Sequence, residues 1–283
     1  MAAEAEPTRS GTGRPPTSSD PPAPRTRSRW DSLQWKVYPW LSILAILALW
    51  QLAGSHLSPV FLSTPVKTFA AFGQQVRSGE MLRNFEETAA TFLVGLGASL
   101  VVGAPLGILM GRYRLAESLL EIVVRILYSV PSIALFPLFI LAFGINDTMR
   151  AVIVFLACVL QIAINAEAGV KSVEGALIDV ARVFGGNERE IFTKIILPGI
   201  VPFLASGFKI AIGRAIVTTV AVEMITSQSG LGGMMAYYSN QLLTAQYEAP
   251  LIAVVLLSLL VYALGDLVER RFSAWRPLEV GGS

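Results

Sequence analysis

Asp179-Val180-Ala181-Arg182-Val183-Phe184-Gly185-Gly186-Asn187-Glu188-Arg189-Glu190-Ile191-Phe192-Thr193-Lys194-Ile195-Ile196-Leu197-Pro198 joins two long apolar stretches of a 283-residue chain. Its first part has the spacing of an amphipathic helix, two glycines interrupt the pattern, and a second short helix follows. Gly185 and Gly186 accept positive φ without a Cβ penalty, and Pro198 is expected to stop the second helix where the next apolar stretch begins. The spacing therefore predicts an elbow, two short helices around a rigid break, over residues 176–198.

The surroundings of this elbow set its medium. Hydrophobic residues make up 53% of the chain and charged ones only 15%, with mean hydropathy +0.59, against roughly 25% charged in a soluble domain. A bilayer core of about 30 Å needs roughly 20 helical residues, and six stretches approach that length: 37–54, 89–110, 119–143, 149–168, 200–225 and 251–268. The expected fold is all-α, a polytopic membrane protein with six transmembrane helices and the elbow between the fourth and the fifth. Membrane lipid is its surrounding partner. A net charge of +2 gives no reason to expect nucleic acid.

Charge sorting orients the chain. Fifteen of the 22 lysines and arginines fall on the elbow's side: six before the first span, Arg112 and Arg114, the elbow region with Lys171, Arg182, Arg189 and Lys194, and three after the last span. Only Lys67, Arg77, Arg83 and Arg150 fall on the other. The positive-inside rule then places the elbow and both termini in the cytoplasm. Residues 1–30, rich in Pro, Ser, Thr, Gly and Arg, are expected to be a disordered cytoplasmic tail, because they cannot bury enough surface to offset ordering entropy. No small-residue cleavage site follows the first apolar stretch, so it reads as a retained span and not a signal peptide. The span region is expected over 31–276, with a short tail at 277–283.

Two smaller patterns complete the outline. Val66, Phe69, Ala70, Phe72, Gly73 and Val76 predict an interfacial helix on the outer side, after the turn-like Leu62-Ser63-Thr64-Pro65. Gly103, Gly107 and Gly111 recur every fourth residue, a small-residue ridge that lets another helix backbone approach. The lone cysteine, Cys158, and the lone histidine, His56, provide neither a disulfide nor a metal site. H-E-x-x-H, G-x-S-x-G and the phosphate-binding G-x-x-x-x-G-K-[ST] do not occur, so no catalytic residue is assigned.

The elbow resembles the E-A-A-x3-G-x9-I-x-L-P signature of the membrane subunits of binding-protein-dependent ABC importers. Ala181, Gly185, Ile195, Leu197 and Pro198 match, Asp179 stands for the glutamate, and Val180 stands for the first alanine. The resemblance implies that the elbow seats in a groove of a cytoplasmic ABC ATPase subunit. Val183, Phe184 and Ile191 would be its apolar contacts, and Glu188, Arg189, Glu190 and Lys194 its polar rim. It also implies a second permease copy in a homodimer, an extracytoplasmic substrate-binding protein, a bacterial cell-membrane location, and ATP held by the partner, with no cofactor bound by this chain.

Further stretches are similar to the nitrate, sulfonate and taurine group of these permeases. They are Arg125-Ile126-Leu127-Tyr128-Ser129-Val130-Pro131, Ala134-Leu135-Phe136-Pro137-Leu138, Phe143-Gly144-Ile145, Glu223-Met224-Ile225-Thr226 and Gly230-Leu231-Gly232. Gln161 departs from that group, which has proline there, so a straighter fourth helix and a more polar pathway are expected. Members of the group carry small anions, and also neutral or cationic vitamin precursors.

Ionisable groups inside spans are functional candidates by default. Arg125, Lys209 and Arg214 are the cationic ones, and Glu121, Arg125 and Glu167 suit an ion-pair network as well as they suit a substrate path. Tyr128, Ser129, Asn165, Thr218 and Thr219 are neutral pathway candidates. Glu223, just before the glycine-rich turn at 229–233, is either a gate residue or an anchor for that turn. Pro131 and Pro137 interrupt the third span and make either a static kink or the border of a cavity. An ion-coupled secondary transporter is the alternative function, although it leaves the elbow without a purpose and no internal repeat supports it.

Overall fold

A computed structural model describes residues 29–173, 175–226 and 229–272, with side chains from residue 38 to residue 267 outside the two short gaps. Of the tails expected at 1–30 and 277–283, residues 1–28 and 277–283 lie outside the described residues, whereas Arg29 and Trp30 already belong to the first helix.

Among the described residues every regular element is helical. In chain order they are α1 (Arg29–His56), α2 (Pro65–Arg77), α3 (Glu80–Arg112), α4 (Arg114–Ser129), a 3₁₀ turn (Ser132–Leu135), α5 (Phe136–Phe143), α6 (Asp147–Lys171), α7 (Gly175–Val183), α8 (Glu188–Ile191), a π-helical turn (Phe192–Ile196), α9 (Leu197–Thr226), α10 (Gly230–Asn240) and α11 (Thr244–Phe272). Two compact units divide within α1, Met1–Leu49 and Trp50–Ser283. The first contributes an apolar helical stretch whose side chains from Tyr38 to Leu49 are largely exposed.

The second unit is organised around α3, α6 and α9. The glycine ridge of α3 lies on α6: a Cβ on Gly103 would stand 2.6 Å from the Val159 carbonyl oxygen, and one on Gly111 would stand 2.6 Å from Val170 Cβ. Gly107 meets the Ala163 carbonyl still more closely. Gly207 of α9 lies equally close to α6, against the Asn165 side chain. Phe92, Leu96, Val154, Cys158, Ile162, Ala211, Ile212 and Ala215 fill the core between the three helices. Small residues bring the backbones together and branched side chains interlock around them, which is how helices associate in a medium as apolar as their own side chains.

Five single helical stretches are long and apolar enough to cross a bilayer, from Tyr38–His56 to Thr244–Leu267. Arg114–Ser129 and Ser132–Phe143 pass the same test only as a pair, bent by 87°, and make a sixth crossing when the pair is counted as one span. The third span expected over 119–143 is thus broken at Pro131, one of the two prolines expected to interrupt it. The residue before a proline is driven out of the helical region, and Val130 is extended at φ −78, ψ 124. Pro137 does not interrupt anything, since it sits in the first turn of α5, where its missing N–H has no intrahelical acceptor to lose.

The end of the bundle opposite the elbow is capped by α2 and α10. The expected outer helix is present as α2, and Ala71, Met81, Leu231, Met234, Ala249 and Ala253 form an apolar cluster joining it to α3, α10 and α11. The stretch 229–233, expected as a turn, instead opens α10. Glycine is poor inside a helix, but a Cβ on Gly232 would collide with the Val220 carbonyl of α9, so packing overrides propensity.

Candidate functional site

The elbow is built as two closed ends around one bend. At the end of α7, Gly185 takes φ +81, its N–H donates to the Arg182 carbonyl at 2.9 Å, and the Gly186 N–H donates to the Ala181 carbonyl at 2.8 Å. This pair of bonds is a Schellman closure, with glycine in its left-handed position. Gly186 has ordinary φ, and a Cβ there would stand 2.8 Å from the same Ala181 oxygen. Only Gly185 supplies the positive φ expected of both glycines; Gly186 supplies clearance. Asn187 then opens α8 with a capping box, its side chain accepting from the Glu190 N–H at 2.9 Å while Glu190 accepts from the Asn187 N–H at 3.2 Å.

Charges fasten the bend to the bundle. Glu188 accepts from Arg182 at 3.1 Å and pairs with Arg112 at the end of α3, and Arg182 also faces Asp179 at 3.8 Å. Lys194 pairs with Glu190 at 3.0 Å. The helical run Glu188–Thr226 has 39 residues, far more than the roughly 20 a bilayer requires, so its first turns lie outside the apolar span. Arg182 and then Arg112 hold the Glu188 carboxyl below the usual carboxylate range.

Exposure separates the expected apolar contacts. Val183 and Phe184 are 85% and 86% exposed at the tip of the elbow. Ile191 is only 1% exposed and packs with Val170, Ile196 and Ile200, with Ile178 and Ala181 partly covering it. Ile191 therefore braces the elbow from beneath and is not available as the surface contact expected of it. Ile195 is half-buried and Leu197 is 39% exposed. Pro198 does not stop the second arm. The π-helical turn shifts the hydrogen-bond register, with the Leu197 N–H reaching Phe192, and α9 continues directly through Pro198 at a position where an amide donor is dispensable.

The pathway candidates fall into three places. Arg125 is exposed on α4 and pairs with Glu121 at 2.8 Å, and Ser129 donates to the Arg125 carbonyl at 3.0 Å. Glu167 joins neither of them; it pairs with Lys171 at 2.6 Å, and Lys171 also reaches Glu117 at 2.7 Å. Lys209 pairs with Asp266 of α11.

At the broken span, Pro131 marks an exposed corner. Just before it, the Tyr128 hydroxyl donates to Gln161 Oε1 at 2.7 Å, and the Arg214 guanidinium lies over the Tyr128 ring at 4.9 Å. Asn165 donates to the Gln161 carbonyl at 2.8 Å. α6 runs unbroken past Gln161, as the missing proline led one to expect. Thr218 and Thr219 are buried in α9, and the Thr219 hydroxyl donates to its own helix at the Ala215 carbonyl.

Glu223 is fully buried and holds the start of α10. Its Oε2 accepts from Gly232 N–H at 3.0 Å and from the Thr88 hydroxyl at 2.8 Å. Thr88 in turn accepts from Leu231 N–H, and Glu87 accepts from Gly230 N–H at 3.1 Å. Three of the four free amides at the head of α10 thus find oxygens on α3 and α9. Of the two roles left open for Glu223, this geometry is that of an anchor. A matching anchor escaped the sequence: buried Glu248 of α11 accepts from Ser63 N–H at 3.1 Å and from the Thr68 hydroxyl at 2.6 Å, tying down α2. Arg150 reaches Ser229 Oγ at 2.8 Å and pairs with Asp147.

Comparisons with known proteins agree with this architecture. Residues 103–274 match the family of binding-protein-dependent transport system inner membrane components. A probable ABC transporter permease protein of Brucella abortus is 32% identical over 222 residues, 77% of this chain and 87% of that one. The putative aliphatic sulfonates transport permease protein SsuC of Escherichia coli is 32% identical over 244 residues, 86% of this chain and 93% of that one. In shape, the chain is similar to the inward-facing MetNI methionine ABC transporter, with TM-score 0.56 and 22% identity over 68% of this chain and 95% of that one. With its helical membrane bundle and its cross-braced elbow, the chain belongs to the family of binding-protein-dependent transport system inner membrane components, the permease subunits of ABC transporters.

Proposed function

We propose that two copies of this chain form the membrane path of an importer. Cytoplasmic ABC ATPase subunits seat on the elbows, and an extracytoplasmic binding protein delivers a small solute of the sulfonate, taurine or nitrate kind. ATP is bound and hydrolysed on the partner subunits, and both termini of this chain face the cytoplasm. The observation that carries the reading is the elbow's tip. Val183 and Phe184 are left almost wholly exposed by a bend that a Schellman closure, a capping box and the Glu188 clasp otherwise hold rigid. Rigid presentation of bare apolar side chains suits a groove in a partner. The sulfonate-type solute is supported by the similarity to SsuC and by the motifs shared with that group.

Co-purification tests the partnership. Affinity-tagged protein co-expressed with the ABC ATPase of the same transport system should retain it, and Phe184→Asp or Gly185→Pro should weaken that association at least tenfold. Association untouched by both substitutions would remove the elbow from the mechanism. Uptake into vesicles that proceeds without ATP would instead favour an ion-coupled carrier.

A further inference from the structure

Arg125, Arg150, Lys209 and Arg214 are cationic side chains on α4, α6 and α9, and the first three pair with acids. Arg125 has Glu121, Arg150 has Asp147, and Lys209 has Asp266. Arg214 differs. Among the described residues no carboxylate lies within ion-pairing distance of it, and its Nη1 is shut off from solvent without a hydrogen-bond acceptor. The Tyr128 ring supports the flat face of the guanidinium at 4.9 Å. An aromatic face stabilises a cation but accepts none of the in-plane N–H donors, so the donor edge of the fork stays unused.

The setting is equally specific. Arg214 lies near the middle of the long helix α9, and Gln161, which holds the Tyr128 hydroxyl, lies near the middle of α6. The corner of the broken span, from Tyr128 to Pro131, is therefore pinned at mid-bundle depth. Non-helical backbone at such depth is tolerated where it is enclosed by protein or borders an aqueous cavity. An arginine held flat on a tyrosine, with free donors beside a break in a helix, presents the planar fork that matches carboxylate, sulfonate or nitrate oxygens.

We propose that Arg214, shelved on Tyr128, is an oxyanion contact within the membrane path. The inference rests on the transport reading above and adds the residue that receives the solute's negative end. Tyr128 and Gln161 act as positioning residues that hold the guanidinium plane, and Asn165 adds a polar neighbour.

The test uses the full chain in phosphatidylcholine nanodiscs, with ethanesulfonate and nitrate as probes and acetamide as the neutral control. Thermal unfolding is followed by tryptophan fluorescence, and ATPase association is scored on the same preparations. Wild type should show a saturable rise in unfolding temperature with the oxyanions and none with acetamide. Arg214→Gln should weaken the response at least tenfold, and Arg214→Lys, which keeps the charge but loses the fork, at least threefold. The proposal is overturned if wild type shows no saturable response, as it would if a carboxylate of a second copy occupied Arg214, or if Arg214→Lys responds like wild type. The lysine variant keeps the test decisive should the glutamine variant not fold. Anion binding without ATPase association would sink the importer reading and leave the site; association without anion binding would do the reverse.

Discussion

Gly103 of α3 stands so close to Val159 of α6 that a Cβ on the glycine would sit 2.6 Å from the valine's carbonyl oxygen. Backbone against backbone, with Gly107 and Gly111 continuing the line, makes α3 and α6 one slab. Gly103→Ala should therefore force the helices apart, at a cost of about 1–3 kcal/mol. Gly97 on the same helix has nothing within 4 Å of a Cβ, and there alanine should stabilise by about 1 kcal/mol through helix propensity. Thermal unfolding of the two variants in one detergent should move in opposite directions.

At the elbow, cap chemistry separates stability from docking. Asn187→Ala removes a side-chain acceptor at the head of α8 and should cost about 1 kcal/mol. Phe184→Asp touches a side chain exposed to solvent and should leave the unfolding temperature unchanged while ATPase binding falls. If Phe184→Asp destabilised the isolated chain as much as Asn187→Ala does, the tip would be part of the core and not a contact surface.

The Glu188 clasp carries a pH signature. Its folded carboxyl titrates below the ordinary value of 4.5, because Arg182 and Arg112 favour the charged form. A depressed folded value means that the clasp's contribution is complete above the unfolded value and is lost as pH falls through the folded one. Protection factors at the amides of 185–191, referred to the intrinsic exchange rate at each pH, should hence fall on acidification through that range, and Glu188→Gln should already show the lower protection at neutral pH. Equal protection in Glu188→Gln at pH 7 would count against the clasp.

The α10 anchor should be costly to cut. Glu223→Ala strands the Gly232 N–H and the Thr88 hydroxyl in a buried site, at about 1–3 kcal/mol for each group left unsatisfied. Glu223→Gln keeps one acceptor and should lose less. Gly230→Ala meets both a φ of +80 and the Glu223 carboxyl, so it should be at least as damaging as Glu223→Ala. Ranking the three by unfolding temperature checks the anchor directly.

What could be read in advance followed from local periodicity. Hydropathy located the spans, four-residue spacing exposed the Gly103, Gly107 and Gly111 ridge, and Gly185 marked the bend. Pro131 marked an interruption of the third span, but apolar composition continues across it, so the size of the bend emerged only from the backbone at Val130. α10 was hidden by its own glycines, whose value lies in contacts with α9 that no local pattern encodes. Ile191 looked like a surface residue because an arm of four residues does not show which of its faces is covered. Glu248 and the Thr88 to Leu231 bond join residues more than 140 positions apart, beyond any spacing rule. Arg214 was visible as a charge in a span, but its solitude emerged only once Lys209 and Arg125 had found their acids.

The π-helical turn has a mechanical consequence. Because it lets the chain pass Pro198 without stopping, the elbow's second arm and the fifth crossing are one run of 39 helical residues, roughly 58 Å at 1.5 Å per residue. Such a rod can transmit a push from one end to the other. Arg214 lies about two thirds of the way along it, and Glu223 lies near its far tip, where it holds α10. A tilt imposed at the elbow would be carried along the rod, past Arg214, to α10 through its bond with Glu223.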